Sequence, residues 1–508
     1  MYSLISVLIR HYIKMLVLSI CCLITLADRA DSRDRFEESD WISWGDSRRI
    51  RFIEVGRNTV FFASDAGILR WDRQERRWLY PWFTVPGYMD KAILLKNCRK
   101  VYEDPLTQDI YVETSGGWIF RDHLREKWEK IDKLDGIAWE RINAKERKKV
   151  KPSRHLMLPP FYSLTPEEQL EYRYLRWDFT KGKHDPTGLF FYSWDGFGVG
   201  IADEYSLNLE LYPGGPGAAS AFDVAGDDIW VTSTLDREKG WLWHRNRDND
   251  SWNFYHPNLE WGLEPGKVNR LKISDNGIVW LATSEGVMVR NGKSWRHIRK
   301  KDGLPRKVIR DIAPFGNEKA WVATIAGLAL IDSKSGTVLR PDEKTENVQR
   351  YSDFHQVTTL KDTLWAAGAG ILLRYDEMGG WQNVAGAPTI AAATPPLALF
   401  VSDQAFAIGD KMGFAYRDST GRWYEIFSDR WRGGKVLCIV YHAGYFWLGT
   451  DSGLVKFDPR EGDVIHYTVD DGLAGNIVRE IVPEGDWLWL GTNRALARFR
   501  WHVKGRLD

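Results

Sequence analysis

Hydrophobic and polar positions alternate with a period of two along many short runs of the chain, a pattern typical of half-buried β-strands. In the run from 445 to 458, one alternating stretch is followed by an Asp-Ser-Gly turn at 451–453 and by a second apolar stretch. The turn predicts a tight hairpin, because glycine supplies the positive φ that such turns need. A polar-alternating strand that opens with an aromatic residue comes next, and an aliphatic strand follows a turn that often reads Asp-Gly-Leu. The unit therefore contains four strands.

This unit recurs about ten times along the chain. One aromatic residue can be aligned in every copy, namely Phe61, Tyr111, Phe190, Trp230, Trp280, Trp321, Trp365, Phe406, Trp447 and Trp489. The last five steps between these residues are 41 to 44 residues long, which is the length of a four-stranded propeller blade. We therefore predict an all-β fold, a β-propeller of about ten four-stranded blades.

The two ends of the chain are predicted to complete one blade. The last copy stops near Trp501 and lacks an outer strand, whereas segment 40–55 matches the outer strand, turn and inner strand of the copy around Trp295. Trp41 to Trp44 would then supply the missing strand. We expect one ring closed in this way, and a smaller ring with some of the weaker copies outside it is the alternative.

The repeat is interrupted over residues 130–185, between the second and third copies. This insertion is about 35 residues longer than the same interval elsewhere. Thr165-Pro166, followed by two glutamates, predicts the start of a short helix, because proline suits the first turn and acids suit the N-terminus. The basic residues of 145–154 could meet an anionic polysaccharide, a phospholipid surface or an acidic partner, and a solvated loop is the alternative.

The first residues are typical of a targeting segment. Positive charges precede the apolar run Met15–Ala27, and the chain turns polar directly afterwards. This pattern predicts a signal peptide over 1–27, a mature propeller over 28–508 and export to the periplasm or beyond. An uncleaved anchor, which would provide the contact with a membrane, is the alternative.

Overall composition narrows the choice of partners. The chain has 70 basic and 69 acidic residues, which argues against a nucleic-acid partner. The mature chain keeps two cysteines, Cys98 and Cys438, which we predict to be small buried hydrophobes, with a pairing of the two left open. The 26 tryptophans are predicted mainly to fill the wedges between blades, and a row of exposed tryptophans that stacks on sugars is the alternative.

Motifs for catalysis are not found. The sequence contains no serine-hydrolase elbow, phosphate-binding loop, HExxH or zinc-ligand spacing. Gly196–Gly200 lies within a strand-turn pattern, and Asp248–Ser251 lacks the glycine and terminal glutamate of a calcium loop, so we predict a turn there. We therefore assign no catalytic, cofactor-binding or metal-binding residue, and the binding residues are left unassigned.

Two parts of the chain resemble a known repeat. The copies DGLPRKVIRDI with KAWVATIAGLALID, and DGLAGNIVREI with WLWLGTNRALARF, resemble the two-component regulator propeller repeat, most strongly in 260–329 and 436–499. The resemblance implies a propeller. It also implies ligand sensing, because such propellers are often the exported sensor parts of hybrid histidine kinases that respond to carbohydrates. No kinase or regulator domain follows here, so the signalling role is not carried over, and the motif residues are structural.

These observations favour an exported, non-catalytic propeller without a cofactor. It would sense a ligand such as a carbohydrate or bind a protein partner. Two alternatives stay open, a polysaccharide-acting hydrolase or lyase with its site in the central pocket, and a structural scaffold of an envelope complex. A cluster of carboxylates or histidines at one mouth of the channel would favour the enzyme.

Overall fold

The computed structural model describes thirteen stretches of the chain. They are residues 40–87, 91–147, 179–194, 198–203, 205–206, 209–212, 215–233, 242–246, 251–255, 266–340, 353–384, 388 and 394–503. The predicted signal peptide, the predicted helix after Thr165 and the Asp248–Asp250 turn lie outside the described residues.

Ten four-stranded antiparallel sheets make up the described part of the chain, and we number them as blades one to ten. Blade one contains β2 Ile50–Val55, β3 Thr59–Ser64, β4 Gly67–Asp72 and β5 Arg77–Trp82; blade two contains β8 Cys98–Glu103, β9 Ile110–Thr114, β10 Gly117–Arg121 and β11 Trp128–Ile131; blade three contains β12 Phe179–His184, β13 Leu189–Trp194, β14 Gly198–Asp203 and β15 Leu209–Tyr212; blade four contains β16 Ala219–Ala225, β17 Asp228–Ser233, β18 Leu242–Asn246 and β19 Ser251–Tyr255; blade five contains β20 Val268–Ile273, β21 Val279–Thr283, β22 Gly286–Asn291 and β23 Ser294–Ile298. Blade six contains β24 Asp311–Phe315, β25 Lys319–Thr324, β26 Gly327–Asp332 and β27 Val338–Leu339; blade seven contains β28 Phe354–Leu360, β29 Thr363–Gly368, β30 Ile371–Asp376 and β31 Gly380–Asn383; blade eight contains β32 Ala398–Val401, β33 Phe406–Gly409, β34 Gly413–Arg417 and β35 Trp423–Phe427; blade nine contains β36 Val436–His442, β37 Tyr445–Thr450, β38 Leu454–Phe457 and β39 Val464–Tyr467; blade ten contains β40 Val478–Glu484, β41 Trp487–Thr492, β42 Ala495–Arg500 and β1 Trp41–Gly45. A hairpin of β6 Thr84–Pro86 and β7 Ala92–Leu94 joins blades one and two, and the helix α1 Gly136–Arg147 follows blade two.

The turn between the second and third strands shows why the repeat motif contains threonine and glycine. In blade nine the Thr450 hydroxyl donates to the carbonyl of Gly453 at 2.8 Å, and Thr283 does the same to Gly286 at 2.9 Å in blade five. Both glycines have positive φ, 150° and 129°, which a side chain would resist. The motif therefore encodes a hairpin of fixed shape, and the apolar residues on either side are held in register.

Blades four to ten form a closed ring of seven. In blade nine, a Cβ on Gly449 would lie 2.8 Å from the Val478 carbonyl of blade ten. At the same position of blade ten, a Cβ on Gly491 would lie 2.8 Å from the Phe222 ring of blade four. Blade ten thus packs on blade four as blade nine packs on blade ten, with β40 and β41 against β16. The prediction of about ten blades is confirmed, but the ring holds seven, which corresponds to the smaller-ring alternative.

The N-terminal strand closes the ring as the sequence predicts. β1 is the outer strand of blade ten and pairs antiparallel with β42, Trp41 lying opposite Phe499 and Trp44 opposite Leu496. Trp44 is 4% exposed and stacks on Trp489 with 5.4 Å between ring centroids. Blade ten is therefore built from both ends of the described chain.

Blades one to three form an arc beside this ring. Blade one is central: its innermost strand β2 packs against β8 of blade two and β12 of blade three. One hydrophobic core runs from the junction of blades one and three into blades four and ten, and Trp44 of β1 meets Tyr80 of blade one edge to face at 6.2 Å. Three of the weaker copies of the repeat, around Phe61, Tyr111 and Phe190, therefore form an arc that is docked on the ring, whereas the other weaker copies lie within it.

The helix α1 lies against the arc within the insertion. Ala138 and Ile142 are buried against Tyr102 and Tyr111 of blade two. Lys145, from the basic run, donates to the buried Glu54 at 2.5 Å, so this cation binds within the molecule. No helix among the described residues is both long and apolar enough to cross a membrane.

Large aromatic side chains fill the wedges between the blades. The fully buried tryptophans are Trp71, Trp128, Trp243, Trp280, Trp431, Trp447 and Trp489. They belong to cores shared by neighbouring blades, such as the core of Trp280 with Ile312 across blades five and six. Within the described residues, most of the tryptophan content is therefore structural.

Candidate functional site in the channel of the ring

The innermost strands of the seven ring blades present two layers of side chains to the channel. Each member of the lower layer lies opposite the aligned aromatic residue of its repeat in the pairing of the first and second strands. The lower layer comprises Asp223, Lys272, Ala313, Thr358, Val401, Val440 and Val482. The upper layer lies two residues earlier on each strand and comprises Ala221, Arg270, Asp311, Gln356, Leu399, Cys438 and Glu480. We call the side on which these strands begin the entry face.

Arg270 joins blades across the upper layer. Its guanidinium donates to Asp311 of blade six at 2.9 Å, to Gln356 of blade seven at 3.2 Å and to Glu480 of blade ten. Blade four separates blades five and ten, and its residue in this layer is the small Ala221, which leaves room for the contact. Because blades five, seven and ten are not neighbours in the ring, these bonds must cross the channel.

Lys272 completes this ion-pair network from the lower layer. Its ammonium group donates to Glu480 at 2.9 Å, so Glu480 accepts from two cations. Asp311 also accepts from the backbone N–H of Val357 at 2.9 Å. Asp311 and Glu480 are 4% and 6% exposed, and their charges are therefore met by partners rather than by water.

Burial and pairing shift the pKa values of this network. Burial would raise the pKa of Glu480, but Arg270 and Lys272 outweigh it and hold this pKa below its usual range. Burial would likewise lower the pKa of Lys272, yet Glu480 and Asp223 raise it. The Asp223 pKa is raised by burial, against the opposing effects of Lys272 and of the Ile273 N–H. Burial similarly raises the pKa of Asp311, with Arg270 opposing.

Asp223→Asn will raise the thermal unfolding temperature at neutral pH and change it little in acid. A raised pKa in the folded state contributes stability below the unfolded pKa and loses it as the pH rises through the folded value. Asparagine removes this loss, and its oxygen can still accept the Ile273 N–H, which Asp223 accepts at 2.9 Å. Thermal melts at several values between about pH 4 and 8 measure the effect, because a carboxyl group with a raised pKa loses its proton above about pH 4. An equal decrease at every pH would contradict it.

The lower layer divides the channel wall into two sides. Asp223, Lys272 and Thr358 present polar groups from blades four, five and seven, whereas Val401, Val440 and Val482 line blades eight to ten. All of these side chains except Ala313 are partly exposed. The wall is therefore accessible, with hydrogen-bonding groups on one side and apolar groups on the other.

At the rim of the entry face, residues next to the upper layer form a second polar group. Arg310 of blade six donates to Asp353 of blade seven, and the Nη1 of Arg310 lies 2.5 Å from Nε2 of His355. Burial, and then the Arg310 charge, lower the pKa of His355 from its usual value. The Nε2 atom of His355 therefore faces Arg310 as an acceptor, and the polar groups of this rim contact one another.

The residues singled out in the sequence lie apart from the channel network, with one exception. Cys98 is a buried free thiol in the wedge of blades one and two, and burial raises its pKa to about 12. Cys438 is also free and buried, and it lies in the upper layer of the channel. Gly198 and Gly200 belong to β14, as the strand prediction requires. Among the described residues, no group of His, Cys, Asp and Glu is arranged to hold a metal ion.

Sequence reasoning missed the channel residues. The signal is the charge inside otherwise aliphatic inner strands: Arg270, Asp311 and Glu480 stand where the sister repeats have Ala221, Leu399 or Cys438. A charged residue on a strand that packs on both faces requires a partner. The alignment of the repeats thus shows which inner-strand residues are unusual, but it does not identify their partners.

No family model matches the chain, and no curated protein matches it either. Among solved structures, the extracellular domain of a protein described as a hybrid two component system of B. thetaiotaomicron is similar over 90% of this chain and 71% of its own, with 10% identity and a TM-score of 0.41. Virginiamycin B lyase from Staphylococcus aureus is similar over 56% of this chain and 95% of its own, with 15% identity and a TM-score of 0.45. PorZ, a bacterial surface component of the type-IX secretion system of Porphyromonas gingivalis, is similar over 91% of this chain and 87% of its own, with 9% identity and a TM-score of 0.33. These similarities are too distant to transfer a ligand, a partner or an activity.

Proposed function

We propose that the chain is an exported, non-catalytic binding protein whose seven-bladed ring binds a small ligand in its channel. The observation that carries the proposal is the two-sided lower layer, with the polar Asp223, Lys272 and Thr358 on blades four, five and seven and valines on blades eight to ten. Pockets that bind small molecules commonly combine apolar walls with a few placed polar groups. A sugar suits such a wall, since it offers both hydroxyl groups and apolar C–H faces.

The pairing within the upper layer supports binding rather than chemistry. A general base must be free to take a proton, whereas Glu480 is held by Arg270 and Lys272 with a lowered pKa. The network instead braces one level of the channel and fixes the wall around it. Export rests on the N-terminal apolar segment.

Asp223 favours a second candidate function, that of a polysaccharide-acting hydrolase or lyase. Its raised pKa suits a general acid, and Glu480 and Lys272 lie near it. Product release from a bound oligosaccharide, lost in Asp223→Asn, would establish catalysis. Binding without turnover supports the proposed function.

A neutral or acidic oligosaccharide that binds the channel will raise the thermal unfolding temperature of residues 28–508 by mass action. Thr358→Phe will abolish this shift, because the ring intrudes on the lower layer. Thr337→Phe, at an exposed position on blade six, is the matched control and will keep the shift. If Thr358→Phe unfolds on its own, Thr358→Val removes the hydroxyl at equal volume and should weaken the shift. An identical ligand shift in all three variants would place the site elsewhere.

A further inference from the structure

A patch on the entry face of blade six combines exposed cations with exposed apolar side chains. We call it the blade-six patch, and it comprises Lys300, Lys301, Arg306, Lys307, Val308, Ile325, Leu339 and Arg340. Its apolar members are 39%, 51% and 54% exposed at Val308, Ile325 and Leu339. Within the described residues, the patch is separate from the channel wall.

Contacts show that these residues form one surface. A Cβ on Gly303 would lie 3.3 Å from the Cβ of Val338, which places the 300–303 turn beside Leu339. The Arg340 guanidinium lies 3.4 Å from the carbonyl of Ala326, next to Ile325. The Arg310 N–H donates to Ala323 at 3.0 Å, so the segment that contains Val308 runs beside the turn that contains Ile325.

Ile325 has no evident use in folding. In blades nine and ten this turn position carries a polar residue whose side chain caps the incoming loop: Asp451 accepts the Lys435 N–H at 2.7 Å, and Asn493 accepts the Ile477 N–H at 3.4 Å. An isoleucine cannot accept this bond, and here its side chain is half exposed. Blade six thus lacks the side-chain hydrogen bond that caps this loop in blades nine and ten, and it exposes an apolar side chain at the same position.

The cations of this patch also depart from the repeat. Arg306 and Lys307 stand where the copy in blade ten has Gly475 and Asn476. Lys307 pairs with Glu285 at 3.0 Å on the surface, and no ion pair joins Lys300, Lys301 or Arg306 to a described carboxylate. The nearby Asp302 uses its carboxylate to accept the Arg299 N–H at 2.8 Å. Positive charge and apolar surface therefore coincide on one blade.

We propose that the blade-six patch docks an acidic segment of a partner protein that also carries apolar side chains. Complementary charge steers such a segment, and Ile325, Val308 and Leu339 offer the apolar contact that fixes it. A densely charged polysaccharide would pair with the cations but would bring few apolar groups to Ile325, Val308 and Leu339. An anionic membrane surface is the alternative occupant, and phosphatidylglycerol vesicles distinguish it in the test.

The test uses residues 28–508 and a fluorescein-labelled peptide of alternating glutamate and leucine as the probe. Two variants import residues that the fold accepts in blade ten, Arg306→Gly with Lys307→Asn, and Ile325→Asn. We expect each to weaken peptide binding by about tenfold, and added salt to weaken it further. Arg494→Gly, at an exposed position of blade ten on the same face, is the control and should bind as the parent does.

Heparin and phosphatidylglycerol vesicles are the comparison probes. If either binds as tightly as the peptide and its binding is insensitive to Ile325→Asn, the surface recognises polyanions in general and the proposal is overturned. The proposal is also overturned if the Arg306→Gly/Lys307→Asn variant and the Ile325→Asn variant both bind the peptide as tightly as the unmodified protein does. Loss of peptide binding in both variants, with the oligosaccharide shift of the channel retained, supports it and keeps it distinct from the proposed channel function.

Discussion

Arg270→Met will destabilise the ring by about 3–5 kcal/mol, since it leaves two buried carboxylates without their main cation. Asp311 and Glu480 are almost completely buried, and Arg270 is the group that joins them across the channel. The loss is larger than the net value of the ion pairs, because the remaining charges stay desolvated.

The pH dependence of this variant gives the expected result a second readout. In the parent protein the lowered pKa of Glu480 contributes stability above its unfolded value, and this contribution is lost as the pH falls through the folded value. Without Arg270, protonation relieves the unpaired charge, so the gap between variant and parent should narrow below about pH 5. Thermal melts of both proteins at several pH values measure it.

Two further variants decide how the Arg270 result is interpreted. Arg296→Met removes an exposed guanidinium that donates to the carbonyls of Lys334 and Ser335, and we expect a change within about 0.5 kcal/mol. Adding Asp311→Asn to Arg270→Met should recover part of the loss, because position 311 then carries no charge while Glu480 keeps its ion pair with Lys272. A double variant less stable than the single one would refute this account.

Trp44→Ala will cost about 3–5 kcal/mol, because it opens a large cavity in the strand that closes the ring. The Trp44 ring is stacked on Trp489, lies under the Arg245 guanidinium at 4.7 Å and meets Tyr80 of blade one. The substitution therefore weakens the closure of blade ten and the docking of the arc at once.

Thermal melts combined with limited proteolysis measure the Trp44 effect. We expect early cleavage between β1 and blade one, around Asp46–Arg49, since this segment joins the ring to the arc. Trp139→Ala is the matched control: Trp139 lies on α1, is 40% exposed and contacts Tyr102. If both alanine variants lose equal stability, the closing strand has no special role.

The repeat unit and the closing strand could be predicted from the sequence, because both depend on local patterns. Period-two alternation, the Thr-x-x-Gly hairpin and the match of segment 40–55 to an outer strand each follow from a few neighbouring residues. Ring size is different, since every blade offers similar faces to any other. The contact of Gly491 with Phe222, which sets the number at seven, joins residues far apart in the chain.

The channel network depends on that number. In a ring of ten, blades five and ten would lie on opposite sides, and Arg270 could not reach Glu480. In the ring of seven they flank blade four, and the small side chain of Ala221 leaves the space between them. The charged residues could thus be recognised as unusual from the sequence, but their partners could not be identified before the closure was known.

The composition of blade ten has a consequence for biosynthesis. β1 leaves the ribosome before the other strands of the described fold, whereas its partner β42 follows all of them, so their pairing has to wait until β42 is translated. Until then Trp41, Ile42 and Trp44 form an apolar strand with no partner edge, which is a hazard for aggregation in a nascent chain. Closure of the ring therefore follows the translation of β42, and β1 is exposed to misassembly until that point.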